Sequence, residues 1–204
     1  DDSIFTQYRV WLGDFIRGDW GESSRTRQPV SEVIPQAFGN TLQLIVWGVL
    51  ISAIIAICIG VYSALKQYST GDYFFTGLTY VGISMPPFWF ALIAIHFLAV
   101  APQDWFGLSS PPVKFVGLHS VGSSGLNWDY LQHLILPVLT LSVQLMASWT
   151  RFQRSSTLDV LSSDYIRTAR AKGVPRKRVI VRHAMRNSLI PLVTVIAVDA
   201  GLLF

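Results

Sequence analysis

Thr41–Leu65 reads TLQLIVWGVLISAIIAICIGVYSAL, 25 residues without a charged side chain. A helix rises about 1.5 Å per residue, so roughly 20 apolar residues cross the ~30 Å of bilayer hydrocarbon. The stretch exceeds the 10–14 residues typical of a buried helix in a water-soluble domain, and no alternation of period two competes for a strand. Working outward, Phe74–Ala101 is 28 residues without Asp, Glu, Lys or Arg. Leu131–Thr150 lacks the same four types, and Ser188–Phe204 carries one charge in 17 residues, Asp199. The expectation is an all-α, polytopic transmembrane helix bundle with about four spans.

Composition agrees. Of 204 residues 51% are hydrophobic and 14% charged, with a mean hydropathy of +0.43. A soluble domain carries about a quarter charged residues, so a soluble enzyme and a disordered chain are both set aside. The one cysteine, Cys58, forms no internal disulfide, and no Cys/His cluster suggests a metal. No signal-peptide pattern opens the chain. It starts at a polar Asp1 and stops inside an apolar run at Phe204, so it reads as a piece of something longer.

Polar pieces separate the spans. Residues 1–40 are expected to form an extracytoplasmic segment. It holds a short amphipathic helix with Tyr8, Trp11, Leu12 and Phe15 on one face, a turn at Gly18 and Gly21, and a second short helix opened by Pro29 toward Ala37. Residues 41–204 form the membrane domain. Residues 1–40 and 102–130 together carry 5 Lys/Arg, whereas 66–73 and 151–187 together carry 11. The positive-inside rule therefore puts the second pair in the cytoplasm. Tyr73, Trp105, Trp128, Tyr130 and Trp149 lie near span ends, as an aromatic belt would have them.

Residues 151–187 hold ten of those basic residues against Asp159 and Asp164. Within them Ser162-Ser163-Asp164 reads as an N-cap run. A helix former, YIRTARAK, follows, and Gly173 suits a left-handed C-terminal cap. Pro175 can open a second helix that runs into the last span. A short helix so placed is a lever: whatever grips it can push the attached spans. The plainer alternative is a basic lipid anchor. A basic recognition helix for nucleic acid does not fit between two membrane spans.

The string DYIRTARAKGVPRKRVIVRHAMRNSLIPLVT, Asp164–Thr194, resembles the signature loop of ABC-importer permeases, nearest to the oligopeptide/dipeptide/nickel group. The general Glu-Ala-Ala motif is replaced by Arg167, Thr168 and Ala169, followed by Gly173, and the later Leu-Pro is lost near Arg182-His183-Ala184. Those departures are usual in the peptide-permease group. Arg17–Ile34, Ser84–Trp89 and His133–Ser142 are similar to that group's outward segment, third span and fourth span. The resemblance covers nearly the whole chain.

It implies a bundle of the type I ABC importer kind with six spans, of which this chain would lack the first, the end of the fifth and the sixth. It implies a multi-pass protein of the bacterial plasma (inner) membrane that imports peptides or peptide-like solutes. Its partners would be a second permease subunit, usually a paralogue, two cytoplasmic ATPase subunits and an extracytoplasmic solute-binding protein. No cofactor would be bound by this chain; ATP and Mg would be used by the ATPases. No G-x-x-x-x-G-K-[ST] phosphate cradle is encoded, and no nucleophile–base constellation marks an enzyme. Residues 151–187 would be the coupling loop, with Asp164, Tyr165, Arg167, Thr168, Ala169, Arg170, Lys172 and Gly173 docking on an ATPase. Ala169, being small, would sit against the ATPase surface.

The translocation path or gate has five candidates. An ionisable residue in a span is functional by default, which picks out Asp199. Pro86 and Pro87 would kink or hinge the second span. Gln144 and Ser148 share a face of the third. The competing function is an ATP-independent carrier or channel whose basic loop only anchors it, and such a carrier should show mid-membrane coupling charges or paired broken helices.

Overall fold

A computed structural model describes residues 3–203. The fold is helical, with no strand among those residues beyond an isolated bridge between Glu22 and Pro29. The chain divides into two compact units, one ending at Gln43 and the other beginning at Leu44.

In the first unit α1 spans Ile4–Ile16, and its N-cap Ser3 accepts a hydrogen bond from the Thr6 N–H. Tyr8, Trp11, Phe15 and Trp20 form a ladder of ring contacts at 5.4–5.9 Å. Gly18 and Gly21 turn the chain with positive φ. The second short helix expected after Pro29 is absent as a separate element: α2 runs unbroken over Val30–Leu65, through Pro35. Pro35 removes the bond to the Ser31 carbonyl and its ring crowds that oxygen, yet a nucleated helix that gains one bond per further residue runs on through it.

In the second unit, α3 (Thr70–Ser84) and α4 (Pro87–Ile95) are two halves of the expected second span. The break falls at Met85-Pro86. A five-residue π segment, His96–Val100, continues into α5, Ala101–Phe106. Then α6 covers Trp128–Ser162, about three turns beyond the apolar run that ends at Thr150. Next come α7 (Asp164–Ala171) and α8 (Arg176–Arg178). A π segment, Val179–Met185, leads into α9, Arg186–Leu202. Four of these helical stretches are long and apolar enough to cross a membrane: Val30–Leu65, Pro87–Phe106, Trp128–Ser162 and Arg176–Leu202.

Small residues bring the helices together. On α2 the buried face repeats every four residues at Gly48, Ser52, Ala56 and Gly60, and it meets α6. A Cβ on Gly60 would lie 2.8 Å from the Gln153 Cβ and 2.9 Å from the Thr150 carbonyl oxygen, so only hydrogen fits. The Ser52 hydroxyl donates to the Gly48 carbonyl at 2.6 Å, and the Ser142 hydroxyl approaches the same oxygen at 3.3 Å. Gly82 of α3 lies against Ala147 of α6. Ala56, Trp149 and Leu192 are fully buried where α2, α6 and α9 meet. Large apolar side chains such as Ile54, Leu92 and Val193 are about 60% exposed. Lipid covers such residues, and close backbone approach plus interhelical hydrogen bonds replace the hydrophobic drive between helices.

Candidate functional site

α7 is held by a small core of its own. Ile166, Val179 and Ala184 are buried, with Val160, Leu161, Ala169 and Val174 packed around them. The first turn differs from the expected cap. Ser163 occupies the N-cap position without a side-chain cap bond, and its hydroxyl donates back to the Val160 carbonyl while that of Ser162 donates to Asp159. α6 ends one residue earlier, so its orphan carbonyls lie nearer to both hydroxyls than the N–H groups of α7. The C-terminal end is a full Schellman turn. Gly173 has φ +74°, its N–H donates to Arg170, and the Val174 N–H donates to Ala169. Val174 and Ala169 both pack against the same small core.

This geometry sorts the loop candidates. Asp164, Arg167, Thr168 and Ala171 are exposed and recur at helical spacing on the outer face. Lys172 is exposed beside them. Asp164 and Arg167 pair at 3.6 Å in solvent, a contact worth little. Tyr165 accepts a hydrogen bond from the Asn187 side chain at 2.8 Å, which ties α7 to α9. Arg170 lines a groove against the end of α2. Ala169 faces inward and is corrected: it belongs to the loop's own core, because the period that buries Ile166 brings position 169 to the same face. The small residue on the open face is Ala171, which sequence reasoning passed over.

The second candidate region surrounds the break in the second span. Pro86 and Pro87 lack N–H groups, and the Trp89 N–H donates to the Pro86 carbonyl, so the Met85 carbonyl has no helical donor. Gln144 of α6 donates to it from Nε2 at 3.1 Å. Freed carbonyls in a membrane must be satisfied by a neighbouring helix, and Gln144 does this. Pro87 and Gln144 line a cleft of about 710 Å³ whose walls include Ile95, Leu118, His133 and Leu136. Ser148 is exposed on α6 and is not part of that lining. Asp199 stands apart as well, its Oδ2 accepting from the Trp149 indole N–H at 2.7 Å.

Two polar clusters were missed from sequence. Asp72 is buried in the first turn of α3, and Arg154 on the extension of α6 grips both its oxygens at 2.9–3.0 Å. The same carboxylate accepts from the Tyr68 N–H. Close by, the buried Gln153 donates from Nε2 to the Thr157 and Ser188 hydroxyls. At the other end of α6 the Asp129 carboxylate accepts from Lys114 and from the Ser120 N–H and hydroxyl. That cluster folds the 107–127 segment back beside the cleft. A signal existed for the first: Asp72 is the only acid between residues 33 and 103, next to a span, with an Arg just beyond another. Among the described residues no three His, Cys, Asp or Glu side chains form a metal site.

Residues 56–204 match the model of the binding-protein-dependent transport system inner membrane components. The chain belongs to that family. It is a multi-pass membrane protein whose spans form part of an ABC-permease helical bundle. It is similar to the oligopeptide transport system permease protein AppB of Bacillus subtilis, 40% identical over 196 residues, covering 96% of this chain and 60% of the relative. OppB of Mycobacterium tuberculosis, an oligopeptide permease protein, is 37% identical over 97% of this chain and 61% of its own length. The dipeptide transport system permease protein DppB of Escherichia coli is 36% identical over 100% and 64%. The chain thus spans about three fifths of the length of the relatives it matches.

Proposed function

We propose that this chain is the permease subunit of an ATP-driven, binding-protein-dependent importer of peptides or peptide-like solutes, forming half of the translocation path. One observation carries the reading: a short helix, α7, sits between two spans, closed by a left-handed turn, with an inner face seated on the start of the last span and an outer face left open. The relatives' names, oligopeptide and dipeptide permeases, supply the solute class.

In this reading residues 1–40 lie outside the cell, residues 41–204 are the permease domain, and 151–187 form the cytoplasmic coupling loop. The outer face of α7 docks on one of two ATPase subunits, which hold ATP and Mg; this chain binds no cofactor and catalyses no reaction. A second permease subunit completes the path, and a solute-binding protein delivers the peptide. A push on α7 passes through Ile166 and Ala169 into Val179 and Ala184, and so into the span that follows. The break at Met85–Pro87, spanned by Gln144, is where the second span bends as the path opens. Such rigid-body motion about discrete contacts is a common route between two states.

The test is reconstitution of the full-length permease with its paralogue, ATPases and binding protein in vesicles. Peptide uptake should need ATP and the binding protein together. Uptake that persists without the ATPases would instead support the ATP-independent carrier.

A further inference from the structure

We propose that the groove between the end of α2 and the turn after α7 binds the phosphodiester headgroup of an anionic phospholipid. The groove encloses about 410 Å³, and its lining includes Leu65, Leu161, Val179, Ile180, Arg170 and Arg176.

Three observations converge. Arg170 and Arg176 are exposed, and among the described residues neither guanidinium has an ion-pair partner. No acid lines the groove. A guanidinium fork matches two phosphate oxygens, so the pair offers a seat for one diester anion. The rest of the lining is aliphatic, which suits the glycerol and first acyl carbons of a lipid and not a fully hydrated phosphate. The position is also right. α2 turns from apolar to polar at Leu65-Lys66, and the Lys66 ammonium lies 5.4 Å from the Tyr62 ring centre. The groove therefore sits at the depth where hydrocarbon gives way to headgroups.

The same geometry separates this site from an acidic protein partner. The face of α7 left open to such a partner carries Asp164, Arg167, Thr168 and Ala171, whereas Arg170 turns toward α2. A lipid seated there would bridge α2 to the loop. The inference goes beyond the transport reading and needs only that the chain lies in a bilayer.

Native mass spectrometry of the full-length permease in its assembled complex would measure retained phosphatidylglycerol against phosphatidylcholine, supplied at equal mole fraction. The parent should prefer phosphatidylglycerol by roughly tenfold or more, and Arg170→Gln/Arg176→Gln should lose that preference. Lys177→Gln/Arg178→Gln removes the same charge from the neighbouring surface and should keep it. If the first double variant fails to assemble, a benzophenone at Ile180 in the parent should label phosphatidylglycerol. Undiminished preference in the first variant, equal loss in both, or labelling of an ATPase from Ile180 would overturn the proposal. So would displacement of the lipid by millimolar inorganic phosphate, which would mark a site for soluble anions.

Discussion

Arg154 holds Asp72 by both carboxylate oxygens, Nε to Oδ1 at 3.0 Å and Nη2 to Oδ2 at 2.9 Å. The pair joins the first turn of α3 to the part of α6 that leads into the basic loop. Asp72 keeps 4% of its side-chain surface and Arg154 28%, so the carboxylate has little access to water if its partner is lost.

Breaking a buried pair from one side costs about 3–5 kcal/mol because the other charge is stranded; partial exposure of Arg154 puts this one at the low end. Arg154→Met should therefore lower the melting temperature of the purified permease by several degrees. Asp72→Asn/Arg154→Gln should cost less than the sum of its single changes. Additive losses in that thermal series would mean the two residues act independently.

Gly60 should tolerate no side chain. A Cβ there would meet the Thr150 carbonyl oxygen at 2.9 Å, and a backbone atom cannot step aside as a side-chain tip can. Gly60→Val should separate α2 from α6 and reduce folded yield severalfold, while Gly13→Ala, with open space around it, should be neutral. Size-exclusion recovery from detergent reads both.

At Gly173 the space is open but φ is +74°, so the penalty is in the backbone alone. A residue with a Cβ costs roughly 1–2 kcal/mol in that conformation, least for Asn and most for a β-branched type. Gly173→Val should abolish peptide-stimulated ATP hydrolysis in the assembled complex while membrane insertion survives, and Gly173→Asn should retain most activity. Equal activity of the two variants would show that the left-handed turn is dispensable.

Gln144 carries the break in the second span. Gln144→Leu leaves the Met85 carbonyl unpaired in a low-dielectric setting, at a cost of about 1–3 kcal/mol. Hydrogen exchange at residues 88–91 should rise by one to two orders of magnitude, with peptide uptake reduced. Unchanged exchange there would mean the break is held by other contacts.

The spans were legible because a charge-free run of bilayer length has one physical solution, and Thr41–Leu65 is such a run. The cap at Gly173 was legible because few residues accept a positive φ. Asp72–Arg154 was not, since the partners lie 82 positions apart and nothing local records their pairing. Ala169 was misplaced because small size alone does not say which face of a helix it occupies; the spacing from Ile166 does. The unbroken α2 was missed because a short helix from Pro29 toward Ala37 and a charge-free run from Thr41 read as two elements, yet the helical bonds continue through the residues between them.

The most direct measurement is a cysteine crosslink from α7 to the ATPase, in a Cys58→Ser background of the full-length transporting complex. Cysteines at Thr168 and Ala171, on the open face, should crosslink to the ATPase, and the yield should change between nucleotide-bound and nucleotide-free states. A cysteine at Ala169, turned into the loop's own core, should not. A complex that transports peptide yet gives no crosslink from Asp164, Arg167, Thr168 or Ala171 would contradict the assignment of α7 as the coupling helix.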